Sequence, residues 1–294
     1  MRVFKFGGAS VKDAEGVKNV VNVLNQTGHE KTVVVISAMG KTTNALEAVV
    51  SAYFEKPETY RGLLHDIEIF HQNIISELFD GNDTPISNRV KNLFEQCNIF
   101  LSNNRSPHNA FVYDQVVGFG ELLSTSIVCA YLNHTNIAAE WIDARACIKT
   151  DNFYRSATLN WEQTQLAIQQ QMQGSVLKVT QGFIGSDENN FTTTLGREGS
   201  DYSAAIFAYC LGATDVTIWK DVPGVLNADP RVFDQTQLLH HISYQEAIEL
   251  AFYGASVIHP KTLQPLQRKE IPLFVKSFLN PLASGTQVGK GTRM

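Results

Sequence analysis

The residues most able to do chemistry sit in a few short loops, and lysine, glycine, hydroxyl and acid dominate them. The first is Lys5-Phe6-Gly7-Gly8-Ala9-Ser10. A lysine ending an apolar run, followed by two glycines, suits an anion. Glycine lets backbone N–H groups come close to oxygens, and a helix start beyond adds positive potential. A plain tight turn would use the same residues. The second is Ser37-Ala38-Met39-Gly40-Lys41-Thr42-Thr43-Asn44, which offers hydroxyls and a lysine, or simply a helix cap. The third, 192–201, ends in Gly196-Arg197-Glu198-Gly199-Ser200-Asp201. There Arg197 could clamp a carboxylate or phosphate with a bidentate fork, while Asp201 could equally be a first-turn helix acid. The fourth, 220–231, holds Lys220, Asp221, Asp229 and Arg231 among turn-forming Pro223-Gly224 and Asp229-Pro230. It could border nucleotide phosphates and their magnesium, or be a turn-rich surface loop.

Several chemistries lose their main signal. Gly40-Lys41-Thr42 is not a Walker loop, because Val35 stands where the upstream glycine belongs. No G-x-G-x-x-G opens the first helix. The 4 cysteines, Cys97, Cys129, Cys147 and Cys210, form no C-x-x-C pair and read as buried, reduced thiols.

Positioning these loops requires a framework, and the hydrophobic pattern supplies one. Residues 3–6 and 33–37 read as strands, the second buried on both faces. Strand-like runs recur at 138–142, 176–180, 216–219 and 273–275. Helical periodicity covers 16–26, 161–172, 201–211 and 244–253, and dominates 45–132 with breaks near 81–85 and 103–107. Leu211-Gly212 reads as a helix stop and Ser243…Glu246 as a capping box. Residues 283–294 are rich in Gly, Ser and Thr and read as a tail. Alternating strands and helices predict an α/β fold with a mainly parallel sheet covered on both faces, in one large domain. In such a sheet, ligands bind beyond the carboxyl ends of the strands, which is where the loops above lie.

Composition narrows the function classes. Apolar residues at 44% against 18% charged exclude a disordered chain. A net charge of -5 argues against a nucleic-acid binder. No secretory h-region follows Met1, and no apolar run approaches the ~18 residues of a membrane span. A soluble, cytoplasmic protein with no membrane partner is expected.

Taken together, the loops resemble those of the aspartate kinases, within the amino acid kinase family. The matching segments are KFGGAS at 5–10, ISAMGKTTN at 36–44, FGELLST at 119–125 and QGFIG at 181–185. GREGSDYSAA at 196–205, DVPGVLNADPR at 221–231, YGASVIHPKT at 253–262 and SFLNPLASGT at 277–286 complete the series. Each is weak alone, but their shared order spans almost the whole chain.

The resemblance implies a three-layer αβα sandwich over residues 1–294, with an N-terminal amino-acid lobe and a C-terminal ATP lobe. The implied reaction takes ATP and L-aspartate, with Mg²⁺, to ADP and 4-phospho-L-aspartate, opening lysine, threonine and methionine biosynthesis. A carboxylate acceptor is already ionised at neutral pH, so the chemistry needs positioning and positive charge rather than a general base. By resemblance, Lys5 lies against the transferring phosphate and Asp201 orients it. Ser37, Thr43, Gly199 and Ser200 border the amino acid. Glu121 receives the α-ammonium, a role that competes with a plain helix-start acid. Arg197 receives the α-carboxylate. The nucleotide is bordered by Phe6, Gly7, Gly8, Lys220, Asp221, Leu226, Arg231, Ser256 and Val257.

Three positions depart from many relatives: Glu198 stands for glycine, Ser256 for lysine, with Lys261 nearby as a substitute, and Leu226 for an aromatic. Most aspartate kinases continue into paired ACT domains. None is expected within these 294 residues, nor is feedback inhibition through such a site, and a homo-oligomer stays open. The alternatives are an amino acid kinase with a different carboxylate acceptor, or a non-catalytic nucleotide or amino-acid binding subunit. Presence of both Lys5 and Asp201 speaks against the last.

Overall fold

A computed structural model of the chain describes all residues except 82–83, 230–231, 234, 253–257 and 292–294. The first strand, β1 (Arg2–Phe6), leads through a short 3₁₀ turn into α1 (Ala14–Thr27), then β2 (Thr32–Ile36) and α2 (Thr42–Glu55). A long helical stretch follows: α3 (Tyr60–Phe79), α4 (Thr84–Asn103), α5 (Asn109–Val117) and α6 (Phe119–His134). Next come β3 (Ala139–Ile142), α7 (Ala144–Cys147), α8 (Trp161–Gln171) and β4 (Leu177–Gln181). A small hairpin, β5 (Ile184–Ser186) and β6 (Thr192–Thr194), precedes α9 (Gly199–Leu211) and β7 (Asp215–Lys220). The chain closes with β8 (His241–Ser243), α10 (Tyr244–Phe252), α11 (Pro260–Arg268), β9 (Leu273–Ser277) and β10 (Thr286–Gly289).

The central sheet has the order β3-β4-β2-β1-β7-β9-β10-β8. Its pairs are parallel except β9 with β10. Side chains alternate between its faces with the strand period of two. Phe4, Phe6, Val34 and Ile36 enter the core beneath α1–α6, whereas Val3, Val33 and Val35 pack beneath α8–α11. The expected αβα layering is therefore present.

Two expectations change. Part of the stretch 283–294, read as a tail, is ordered in the sheet. Thr286–Gly289 is a strand whose Val288 is fully buried, paired with β9 on one side and β8 on the other. The membrane reading also needs refinement. Asn109–His134 is long and apolar enough to span a bilayer, yet 78% of its most apolar window lies inside the molecule, as in a core helix. Burial on nearly all sides, not lipid, accounts for its composition. The capping box forms as read: the Ser243 hydroxyl accepts from the Glu246 N–H at 3.1 Å, and Glu246 accepts from the Ser243 N–H at 2.7 Å. Gly212 ends α9 in the left-handed region, with φ 58°. All 4 cysteines are free and buried.

Candidate active site

Central strand β1 carries the first functional side chain. Lys5 shares the sheet face of Val3, so its ammonium rises toward α9 rather than into the α1–α6 core. There its Nζ meets Asp201 Oδ1 at 2.7 Å. Both groups are buried, Lys5 8% and Asp201 1% exposed. Lys220, ending the adjacent strand β7, brings its Nζ to 4.0 Å from the other Asp201 oxygen. One carboxylate in the first turn of α9 thus ties two lysines from neighbouring strands. A buried carboxylate is tolerated there because it is charge-paired and sits at a helix N-terminus.

The loop after β1 is pressed against the loop after β2. Gly40 N–H donates to the Gly8 carbonyl at 3.1 Å, and a Cβ on Gly8 would lie 2.8 Å from the Ala38 carbonyl oxygen. Glycine is required there by close approach. Helix α6 closes on the same loop at Gly120, where a Cβ would meet Ala38 Cβ at 2.9 Å. That approach delivers Glu121, 2% exposed. Its Oε1 accepts from the Ala38 N–H at 3.2 Å, while Oε2 is buried with no hydrogen-bond partner. Burial pushes the Glu121 carboxyl up to about 8, opposed by the Ala38 hydrogen bond.

These groups open onto one cavity of about 450 Å³. Of the residues singled out from the sequence, Lys5, Gly8, Ser37, Thr43, Glu121, Arg197, Gly199, Ser200 and Asp201 are brought together along its lining. Phe6 and Gly7 are not. The Phe6 ring stacks on Trp219 in the core, at 6.1 Å between centroids, leaving only its backbone for the site. Asp221 is exposed on the loop after β7, and Leu226 bridges Leu238 there. Neither lines the cavity. Arg231, Ser256 and Val257 lie outside the described residues. Lys261 donates to the Leu195 carbonyl at 2.9 Å and lies over the Tyr202 ring, and desolvation lowers its pKa.

The sequence reading missed Tyr113, Arg155 and Phe183, which also line the cavity, and Asp114 behind them. Asp114 is fully buried. Its carboxylate accepts from the Arg155 N–H (3.0 Å) and from the Thr194 N–H (2.8 Å) and hydroxyl (2.9 Å). Burial nevertheless pushes it up to about 6. It ties α5, the turn at Arg155 and β6 into one wall. An acid amid Phe111, Val112, Tyr113, Val116 and Val117 was the available signal, since a buried carboxylate needs partners.

A cleft with a lysine–aspartate pair at its floor and a buried acid and an arginine on its walls suits phosphoryl transfer to a small zwitterionic acid. Several known proteins resemble the chain. The chain is 35% identical to lysine-sensitive aspartokinase 3 of Escherichia coli, over 97% of its own length and 63% of the relative's. It is 32% identical to a chloroplastic bifunctional aspartokinase/homoserine dehydrogenase 2 of Arabidopsis thaliana, covering 97% of this chain and 32% of that one. The crystal structure of E. coli aspartokinase III in complex with aspartate and ADP superposes with a TM-score of 0.90 at 32% identity. That superposition covers 100% of this chain and 65% of the other. This chain thus spans less than two thirds of these relatives. Residues 1–277 match the amino acid kinase family, and the chain belongs to that family.

Proposed function

We propose that the chain is an aspartate kinase catalytic domain, moving the γ-phosphoryl group of ATP to the β-carboxylate of L-aspartate to give 4-phospho-L-aspartate. The observation that carries this is Glu121: a buried acid with one unpartnered oxygen, lining the same cavity as Arg197 and the Lys5–Asp201 pair. An α-amino acid supplies an ammonium for the first, a carboxylate for the second and a reacting group for the third. An N-acylated acid has no cation for Glu121. The E. coli relative's complex with aspartate and ADP supports the same substrates.

The residues divide the work by charge. Ammonium binding turns Glu121 into its ionised form, and Arg197 fixes the α-carboxylate. Ser37 and Thr43 offer hydroxyls, with Gly199 and Ser200 closing the wall beside Arg197. That leaves the β-carboxylate directed at the phosphoryl group beside Lys5. Two anions must approach, and Lys5 offsets their repulsion where charge develops. Asp201 holds Lys5 in place, and Lys220 extends the positive field toward the nucleotide. Backbone N–H groups of Gly7 and Gly8 face phosphate oxygens. Asp221, Leu226, Arg231, Ser256 and Val257 border the nucleotide in this reading.

Among the described residues no three His, Cys, Asp or Glu side chains gather into a metal cage. In this reading magnesium would be carried mainly by the nucleotide phosphates, with Asp201 or Asp221 as single carboxylate contacts. When bound, the metal neutralises phosphate charge.

The test is an acceptor panel: Mg-ATP, hydroxylamine, and L-aspartate, L-glutamate, N-acetylglutamate or no acceptor. Hydroxamate from L-aspartate alone is expected. Signal from another acid would overturn the substrate. No signal from folded protein that binds no nucleotide would overturn the kinase reading.

A further inference from the structure

Arg155 has no part in the assignments above, yet its surroundings are built to hold it in the cavity. Its backbone is left-handed, φ 70°, unusual for a long side chain. The strain is fixed in place: its N–H lies 3.0 Å from both oxygens of buried Asp114. Behind it, Ala157 N–H donates to the Thr194 carbonyl at 2.9 Å. The Arg155 turn also abuts the Arg197 loop, since a Cβ on Gly196 would lie 3.3 Å from the Arg155 carbonyl oxygen. The guanidinium carbon sits 4.1 Å from the Tyr113 ring centroid, and that ring is tethered by a 2.7 Å hydrogen bond from its hydroxyl to Glu47. A guanidinium laid on a ring keeps its N–H donors around its edge. Among the described residues Arg155 makes no ion pair.

Charge gives this placement a purpose. Lys5, Arg155 and Arg197 line the cavity together with Glu121, Glu198 and Asp201. Lys5 is already paired with Asp201. Arg197 and Glu198 both line the cavity, so their formal charges cancel in the count. Without Arg155 the lining is net negative whenever Glu121 is ionised, a poor receptor for a dicarboxylate.

We infer that Arg155 is a second cationic contact for the acceptor's α-carboxylate, sharing it with Arg197 from the adjoining turn. The inference rests on the aspartate reading above. Asp114 then acts as a positioning residue for both arginines, through the Arg155 turn and β6.

The test uses Arg155→Asn, because asparagine tolerates the left-handed backbone while removing the cation. Arg155→Gly serves as a second variant should asparagine disturb folding. Calorimetry on the whole chain measures binding of L-aspartate and of its α-amide, L-isoasparagine. Arg155→Asn is expected to weaken L-aspartate at least tenfold and the α-amide less than twofold, with the aspartate KM rising far more than kcat falls. Equal binding of L-aspartate by variant and wild type refutes the Arg155 assignment alone. Equal weakening of both ligands assigns Arg155 a structural role and refutes it too. Wild-type protein that binds no L-aspartate refutes the acceptor reading, and the assignment with it.

Discussion

Glu121 couples acceptor binding to pH, and the size of that coupling follows from its surroundings. Its carboxyl is pushed up to about 8 by burial, with one oxygen unpartnered. At neutral pH the free site therefore holds a proton on Glu121, whereas an ammonium ligand needs the carboxylate. Binding must expel that proton. Each pH unit below the titration weakens apparent affinity about tenfold, so Kd at pH 6 should be about 100-fold above its plateau. Calorimetry of L-aspartate binding between pH 6 and 8.5 would read this directly. Repeating it in buffers of different ionisation enthalpy counts the proton, and about one should leave per ligand near pH 6. Glu121→Gln should bind weakly and with no such pH slope, because an amide neither titrates nor neutralises an ammonium. Folding gives a second readout. Between its ordinary 4.5 and about 8, Glu121 in the folded chain keeps a proton that the unfolded chain has lost. Its contribution to stability therefore falls as pH rises through that window. Glu121→Gln should raise Tm at pH 8.5 relative to wild type and leave it nearly level near pH 4.5. Affinity that is flat from pH 6 to 8, without proton release, would refute the reasoning.

Other perturbations have equally definite outcomes. Lys5→Ala should lower kcat by about 10²–10³ or more, as for loss of an oxyanion-type donor, in protein whose nucleotide binding and circular dichroism persist. Wild-type turnover would remove Lys5 from the reaction. Glu198→Gly relieves a left-handed glutamate (φ 55°) and deletes an acid from the cavity. KM for aspartate should fall severalfold, while the entropy cost of glycine keeps Tm within a few degrees. A raised KM would mean that Glu198 assists binding. Asp114→Asn puts an amide where a carboxylate accepts from the Arg155 and Thr194 N–H groups. Urea unfolding should show a loss of about 1–3 kcal/mol, the usual result of disrupting buried hydrogen bonds. Unchanged stability would deny Asp114 its hold on that wall.

The sequence alone determined the layered fold and most of the cavity lining. Continuous β-branched runs such as residues 33–36 can be satisfied only by strands buried on both faces, and the intervening helical periods supply the cover. Lysine, glycine and acid at strand ends were legible because such loops must converge at one edge of a parallel sheet. Short-range chemistry was legible too, as in the Ser243–Glu246 cap. What stayed hidden depended on partners distant in the chain. The Thr286–Gly289 strand looked like a tail because it is only 4 residues long and is flanked by strand-poor Gly285, Lys290 and Gly291, and only pairing with β8 and β9 orders it. Phe6 looked like a site residue by its place in the first loop, but the pleat turned its ring into the core. Arg155 and Asp114, 41 positions apart, gave no local sign of belonging together. Packing of α5 against β6 decided that, because a buried carboxylate must find donors wherever the fold brings them.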